Sequence, residues 1–161
     1  MRIEYEGGHP RTASAHGTPA RAPMEYPAME IDGRCHCGFI TYEALIDPEA
    51  VMICHCTDCQ TLSGSAFPEV ALTRPGGFKL LSGELKTYVK KRPQTFCPEC
   101  GSPIYSTSDA QGAKVYSIRV GTIRQRRDLA PRLQIWCRSS LPWITEIATV
   151  RGSETQEGLR L

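Results

Sequence analysis

From Ile31 onward, apolar and polar residues alternate in short runs. Ile40, Tyr42, Ala44 and Ile46 fall on one parity and Thr41, Glu43 and Leu45 on the other. That period of two is what a half-buried strand requires. Further apolar stretches follow at Phe67–Leu72, Phe78–Leu81, Leu85–Val89, Pro103–Thr107, Val115–Val120 and Leu133–Cys137. Asp47-Pro48, Pro75-Gly76-Gly77, Ser82-Gly83 and Gln111-Gly112 supply turn signals between them. Only Thr57–Ser63 reads as a helical turn. Many short strands with regular turns predict a mainly β domain, a small sandwich or open barrel rather than a βαβ fold. Trp136 and Trp143 are expected in its core.

The ends read differently. Residues 1–29 carry Pro10, Pro19, Pro23 and Pro27, with Ile3 as the only Ile, Leu, Val or Phe. Such a stretch cannot offset its ordering entropy by packing, so a loosely attached tail is expected, with His9 and His16 solvated. The domain is placed at 30–147, and 148–161 is expected to be a polar C-terminal tail.

Composition narrows the function classes. The 161 residues suit one domain, and 40% hydrophobic content excludes full-length disorder. No apolar run approaches the ~20 residues of a membrane span, so no membrane partner is expected. With 19 Lys and Arg against 17 Asp and Glu, the net charge is +2. That gives the Lys86, Lys90, Lys91, Arg92 cluster little field, and no nucleic-acid partner is expected. Gly7-Gly8 and Gly76-Gly77 lack any phosphate-loop or dinucleotide spacing.

The 8 cysteines change the picture most. The chain as read offers no apolar stretch for a secretory signal, so a reducing cytoplasm is expected. There, clustered cysteines mean metal or catalysis rather than disulfides. Cys35 and Cys37 flank a single residue, as do Cys54 and Cys56; Cys59 follows shortly, and Cys97 and Cys100 form a C-x-x-C. Neighbours so close bridge each other poorly but chelate one ion well.

Cys35-His36-Cys37-Gly38 and Cys97-Pro98-Glu99-Cys100-Gly101 each place glycine after the second cysteine. A knuckle that folds two thiolates onto one ion needs a tight turn there, with the positive φ that glycine adopts cheaply. Two such knuckles make a closed four-thiolate shell, and Cys35, Cys37, Cys97 and Cys100 are expected to hold a structural zinc. The cluster Cys54-His55-Cys56-Thr57-Asp58-Cys59 supplies three thiolates. Three protein ligands and an exchangeable corner are the pattern of a catalytic zinc, so Cys54, Cys56 and Cys59 are the candidate catalytic ligands. The alternative is a second four-cysteine site closed by Cys137, itself otherwise a small buried thiol beside Trp136. His36 and His55 are taken as turn residues rather than ligands, and Asp58 as solvated surface or a carboxylate near the ion.

The full series is specific. Gly33-Arg34-Cys35-His36-Cys37-Gly38 with Tyr42 comes first, then Cys54-His55-Cys56-x-x-Cys59 with Ser63-Gly64. Phe96-Cys97-Pro98-x-Cys100-Gly101-Ser102, Gly121-Thr122 and Ile135-Trp136 follow. In this order, over about residues 31–145, the chain resembles the glutathione-dependent formaldehyde-activating (GFA) family. The resemblance implies a mainly β fold, a zinc-ribbon-like β-tent of stacked short antiparallel sheets, with two Zn2+ per chain divided as above. It implies a carbon–sulfur lyase activity: reversible addition of a thiol, glutathione or similar, to a small aldehyde such as formaldehyde. The family is also similar to centromere protein V, which acts by binding, so a non-catalytic zinc-stabilised module that binds a partner protein stands as the alternative. A redox or metal-buffering role is a third.

Departures from the family pattern occur at Gln60, where a basic residue is common, and at Gln134, where a histidine is common. Arg124, Arg126 and Arg127 follow Gly121-Thr122, where acidic residues are usual. These leave the zinc ligands intact and bear on substrate choice. The arginines between 119 and 138 are read either as a hold on an anionic substrate or, as the plainer expectation, a solvated charged face.

Overall fold

A computed structural model describes residues 28–108 and 114–156. The expected N-terminal tail, except for residues 28 and 29, lies outside the described residues, as do the Gln111-Gly112 turn and the end of the C-terminal tail.

The chain folds mainly as β structure. Strands β1 (Met29–Arg34), β2 (Thr41–Cys54), β3 (Glu69–Ser82), β4 (Lys86–Val89), β5 (Pro93–Phe96), β6 (Pro103–Ser108) and β7 (Val115–Arg119) pair antiparallel in the order β1-β2-β3-β7-β6-β5-β4. A short β8 (Leu133–Ile135) adds to β2 in parallel. The α-helix α1 (Thr57–Ser63) falls where the sequence predicts a helical turn. The predicted alternation holds: Ile40, Tyr42, Ala44 and Ile46 are buried, while Glu43 between them is exposed.

Two predicted turns are instead bulges. Asp47-Pro48 lies inside β2 and Pro75-Gly76-Gly77 inside β3, both 14-residue strands. Their pairing slips between Ala44 and Ile46 and again between Ile46 and Val51. Proline and glycine, which weaken a ladder, are tolerated where the ladder is already broken. Gly76 takes φ 71° and donates its N–H to the Lys114 carbonyl, so a turn-like backbone is built into a continuing strand.

The core gathers Ile31, Ile40, Tyr42, Ile46, Val51, Ile104, Ile118 and Ile123, with the sulfurs of Cys35 and Cys97 among them. Phe78 stacks on Tyr42 and Tyr116 and meets Tyr105 edge-on. The Tyr42 hydroxyl, 2.7 Å from Thr122 Oγ1, passes over Gly33, where an added Cβ would lie 2.2 Å from the ring. Gly33 of the Gly33-Arg34-Cys35 run is therefore the space that the core tyrosine occupies. Trp136 and Trp143, expected in the core, are 51% and 46% exposed. Trp136 follows β8 and caps the 3-10 segment Cys137–Ser139, Trp143 lies in the 3-10 segment Pro142–Thr149, and neither segment contributes a buried residue to the core.

Candidate metal centres

Cys35, Cys37, Cys97 and Cys100 come together with all four sulfurs within 4.8 Å of one another. Cys35 and Cys37 sulfurs are 3.5 Å apart, and Cys37 and Cys97 sulfurs 3.9 Å. Four sulfurs at about 2.3 Å from one ion in a tetrahedron lie about 3.8 Å apart, so the spacing suits a shared ion. All eight cysteines are free thiols. The two knuckles are built alike. Gly38 has φ 84° and Gly101 φ 73°, as predicted, and each turn closes with a backbone bond to the first cysteine: Gly38 N–H to the Cys35 carbonyl and Gly101 N–H to the Cys97 carbonyl. Ile40 N–H also donates to Cys35 Sγ at 3.2 Å. The Ser102 hydroxyl, beside Cys100 at 3.2 Å, heads the interactions that bring the Cys100 thiol down to about 5.

Cys54, Cys56 and Cys59 form the second group, again within 4.8 Å of one another. Cys54 ends β2, with its N–H on the Pro68 carbonyl, and Cys56 is the N-cap of α1. Its sulfur accepts from Cys59 N–H at 3.4 Å, so the helix start folds Cys59 back towards Cys56. Gly64, at φ 61°, ends the helix. Burial pushes the Cys56 thiol up, yet the hydrogen bonds from Cys59 and Cys54 outweigh it and the thiol is lowered. Burial, joined by its two sulfur neighbours, raises Cys59. One sulfur of this cluster is thus readier to ionise than another.

The remaining candidates fall outside both groups. Cys137 is exposed, with its thiol directed to the Gln134 carbonyl at 3.7 Å. His36 is exposed and donates its backbone N–H to Ser102 Oγ. His55 is 0% exposed; its Nε2 donates to Gln134 Oε1 at 2.8 Å, and Nδ1 has no partner among the described residues. The ring packs edge-on to Phe67 rather than onto the sulfurs. Gln60 Nε2 donates to the carbonyls of His55 and Ser139, each at 2.9 Å. Gln60 and Gln134 thus tie the segment after β8 to the turn that carries the cysteines. Asp58 is exposed and pairs with Lys91.

The arginines divide. Arg34, Arg124 and Arg126 line a groove of about 710 Å³ beside Cys35 and His36, with Arg124 also held by Asp32 at 2.8 Å. Arg132 pairs with Glu49, and Arg138 lies 4.8 Å from the Trp136 ring centre. Arg119 departs from the expected charged face: it is buried, and its Nη2 donates to Gln94 Oε1 at 3.3 Å. Burial lowers its pKa, against the opposing pull of the Cys59 and Cys54 charges. Sequence reasoning did not connect Arg119 to the cysteines. The connection runs through the β3–β7 register, which pairs Val70 with Arg119, and the β2–β3 register, which pairs Ile53 with Glu69.

The donor chemistry fits a soft or borderline ion. Sulfur-only sets of four and of three suit zinc and suit magnesium or calcium badly. Among the described residues, no helix is long and apolar enough to cross a membrane.

A structure of a Rhodobacter sphaeroides protein has the same kind of fold: TM-score 0.53 and 20% identity, over 64% of this chain and 98% of that one. No curated protein matches the chain. The family model described as glutathione-dependent formaldehyde-activating enzyme matches residues 30–139, an interval that contains both sulfur clusters. With the two glycine-ended knuckles and the three-sulfur turn all inside that match, the chain belongs to the GFA family.

Proposed function

We propose that this chain is a zinc-dependent carbon–sulfur lyase of the GFA type, adding a thiol such as glutathione reversibly to a small aldehyde such as formaldehyde in the cytoplasm. The observation that carries the reading is the unequal donor count: four sulfurs in one group, three in the other, with Cys137 outside both. Cys35, Cys37, Cys97 and Cys100 hold the structural ion, and Cys54, Cys56 and Cys59 the catalytic one. A zinc ion at the second site supplies Lewis acidity that favours the thiolate form of an incoming thiol near neutral pH.

The chain's own residues fix the geometry. Cys54 is anchored by β2, while the α1 cap holds Cys56 and Cys59 to one side of the site. Gln134 and Gln60 keep the His55 turn and the 134–139 segment in place. The thiol adds across the carbonyl: its sulfur bonds to carbon, and its proton ends on the former carbonyl oxygen. The S-hydroxyalkyl product cleaves by the same path in reverse.

The test is exchange spectroscopy on ¹³C-formaldehyde and glutathione. The protein should speed interconversion of free and adduct forms, and Cys56→Ser should abolish that effect while zinc falls towards one ion per chain. No acceleration by the zinc-replete protein contradicts the reading. The exposed Leu133, Trp136, Trp143, Ile147 and Val150 favour a second reading, a zinc-stabilised module that binds a partner protein. It predicts no acceleration at all.

A further inference from the structure

Strand β7 ends in a charge that no carboxylate among the described residues pairs with. Arg119 is 8% exposed, and no ion pair to a carboxylate is formed by it among the described residues. Its Nη2 donates to the Gln94 amide oxygen, and the sheet register sets it beside the cluster: Arg119 pairs with Val70, and Val70 with Met52, two residues before Cys54. The charges that act on it most strongly are those of Cys59 and Cys54. A guanidinium does not give up its proton, and a buried charge without a counter-ion is costly. Among the described residues, the groups placed to answer it are the sulfurs of the cluster once a metal ion has displaced their protons.

The charge count is then informative. Binding a divalent cation while three cysteines release protons to solvent adds one net negative charge beside Arg119. Taking up a further thiol, with its proton also lost to solvent, adds another. A neutral donor such as imidazole adds none. We propose that Arg119 is the built-in counter-charge of the Cys54/Cys56/Cys59 cluster, and that it sets the site to take an anionic sulfur in preference to a neutral donor as fourth ligand. The inference rests on reading this cluster as an open metal site. Arg119 acts through the cluster and is a positioning residue.

Two measurements on the full chain test it. In chelator competition on the zinc protein, Arg119→Met should weaken one of two ions about tenfold and leave the other unchanged. In the cobalt-substituted protein, followed by its visible spectrum, Arg119→Met should weaken 2-mercaptoethanol about tenfold but imidazole by less than about twofold. Arg119→Lys keeps the charge and should restore most of both losses. Equal losses for thiol and imidazole, or a lysine variant as weak as the methionine one, mark a merely structural tie to Gln94 and overturn the proposal. Should the methionine variant fail to fold, the lysine variant decides: the thiol preference survives if charge is the role and disappears if it is not. A wild-type cobalt protein that binds no added thiol would sink the proposed function and the fourth-ligand half of this inference. Chelator competition would still test the counter-charge.

Discussion

The two sulfur clusters use the same side chain in opposite settings. The four-sulfur group joins a turn after β1 to a turn after β5, and two of its cysteines, Cys35 and Cys97, belong to the hydrophobic core. The three-sulfur group is local, packed into one strand end and the first turn of a seven-residue helix, with Cys56 and Cys59 half-buried. An ion in the first setting closes a long loop through the core, so its binding energy is folding energy. An ion in the second closes a loop of a few residues and adds little to the fold, which frees the site for exchange.

The largest expected effect is therefore an asymmetry on deleting one sulfur. Cys97→Ser should remove cooperative thermal unfolding or lower Tm by more than 15 °C or so, since a structural zinc contributes roughly 10 kcal/mol or more. Cys56→Ser should keep a cooperative transition while losing one zinc. Circular dichroism melts with zinc analysis check both, and matching losses in the two variants would erase the contrast.

Next comes Gly33→Ala. A methyl there would overlap the Tyr42 ring and lie 2.7 Å from the Thr122 carbonyl oxygen, so the core under the four-sulfur site must shift. The expected cost is about 2–3 kcal/mol of unfolding free energy, measured by denaturant titration. Gly64→Ala at the end of α1 has open space around it and pays only for φ 61°, so about 1 kcal/mol is expected. Equal costs would mean that the two regions are equally rigid.

Acid should separate the clusters as well. Metal binding displaces thiol protons, so affinity falls as pH falls. Each set mixes lowered thiols, Cys35 and Cys100 in one and Cys56 in the other, with raised ones, Cys37 and Cys97 in one and Cys59 in the other, so the number of donors decides: one sulfur fewer holds the second ion. In a stepwise acid titration followed with a zinc indicator, the three-sulfur ion should leave first, at the higher pH. In the metal-free chain, the stabilisation from the lowered Cys100 is present above its ordinary value of 9.0 and lost as pH falls towards about 5. The smallest effect is expected at Lys91→Ala. Its pair with Asp58 is exposed, and both Tm and zinc content should be unchanged.

Much of this was readable from local chemistry. The glycines after the knuckles, the helical turn at Thr57–Ser63 and the alternation at Ile40–Ile46 depend on neighbouring residues, and all three stand in the structure as predicted. What sequence reading missed depends on pairing across the sheet. Pro75-Gly76-Gly77 signals a turn by residue type, but only the register of β2 against β3 makes it a bulge in a continuing strand. β5 is polar and signals no strand; it exists because β4 and β6 flank it. The tryptophans are apolar enough for a core but lie beyond β8, at and in 3-10 segments that hold no buried residue. Arg119 looks like one surface arginine among several until β7 is laid beside β3. Cys137 could have closed the middle site by residue type, yet its thiol turns to its own segment's Gln134.

The most direct test of the account is diffraction at the zinc edge from crystals grown with and without glutathione. The account predicts one ion with four protein sulfurs in both crystals. A second ion should show the sulfurs of Cys54, Cys56 and Cys59, and gain the sulfur of glutathione when it is present. A second ion already held by four groups of the chain, and unchanged by glutathione, would contradict it.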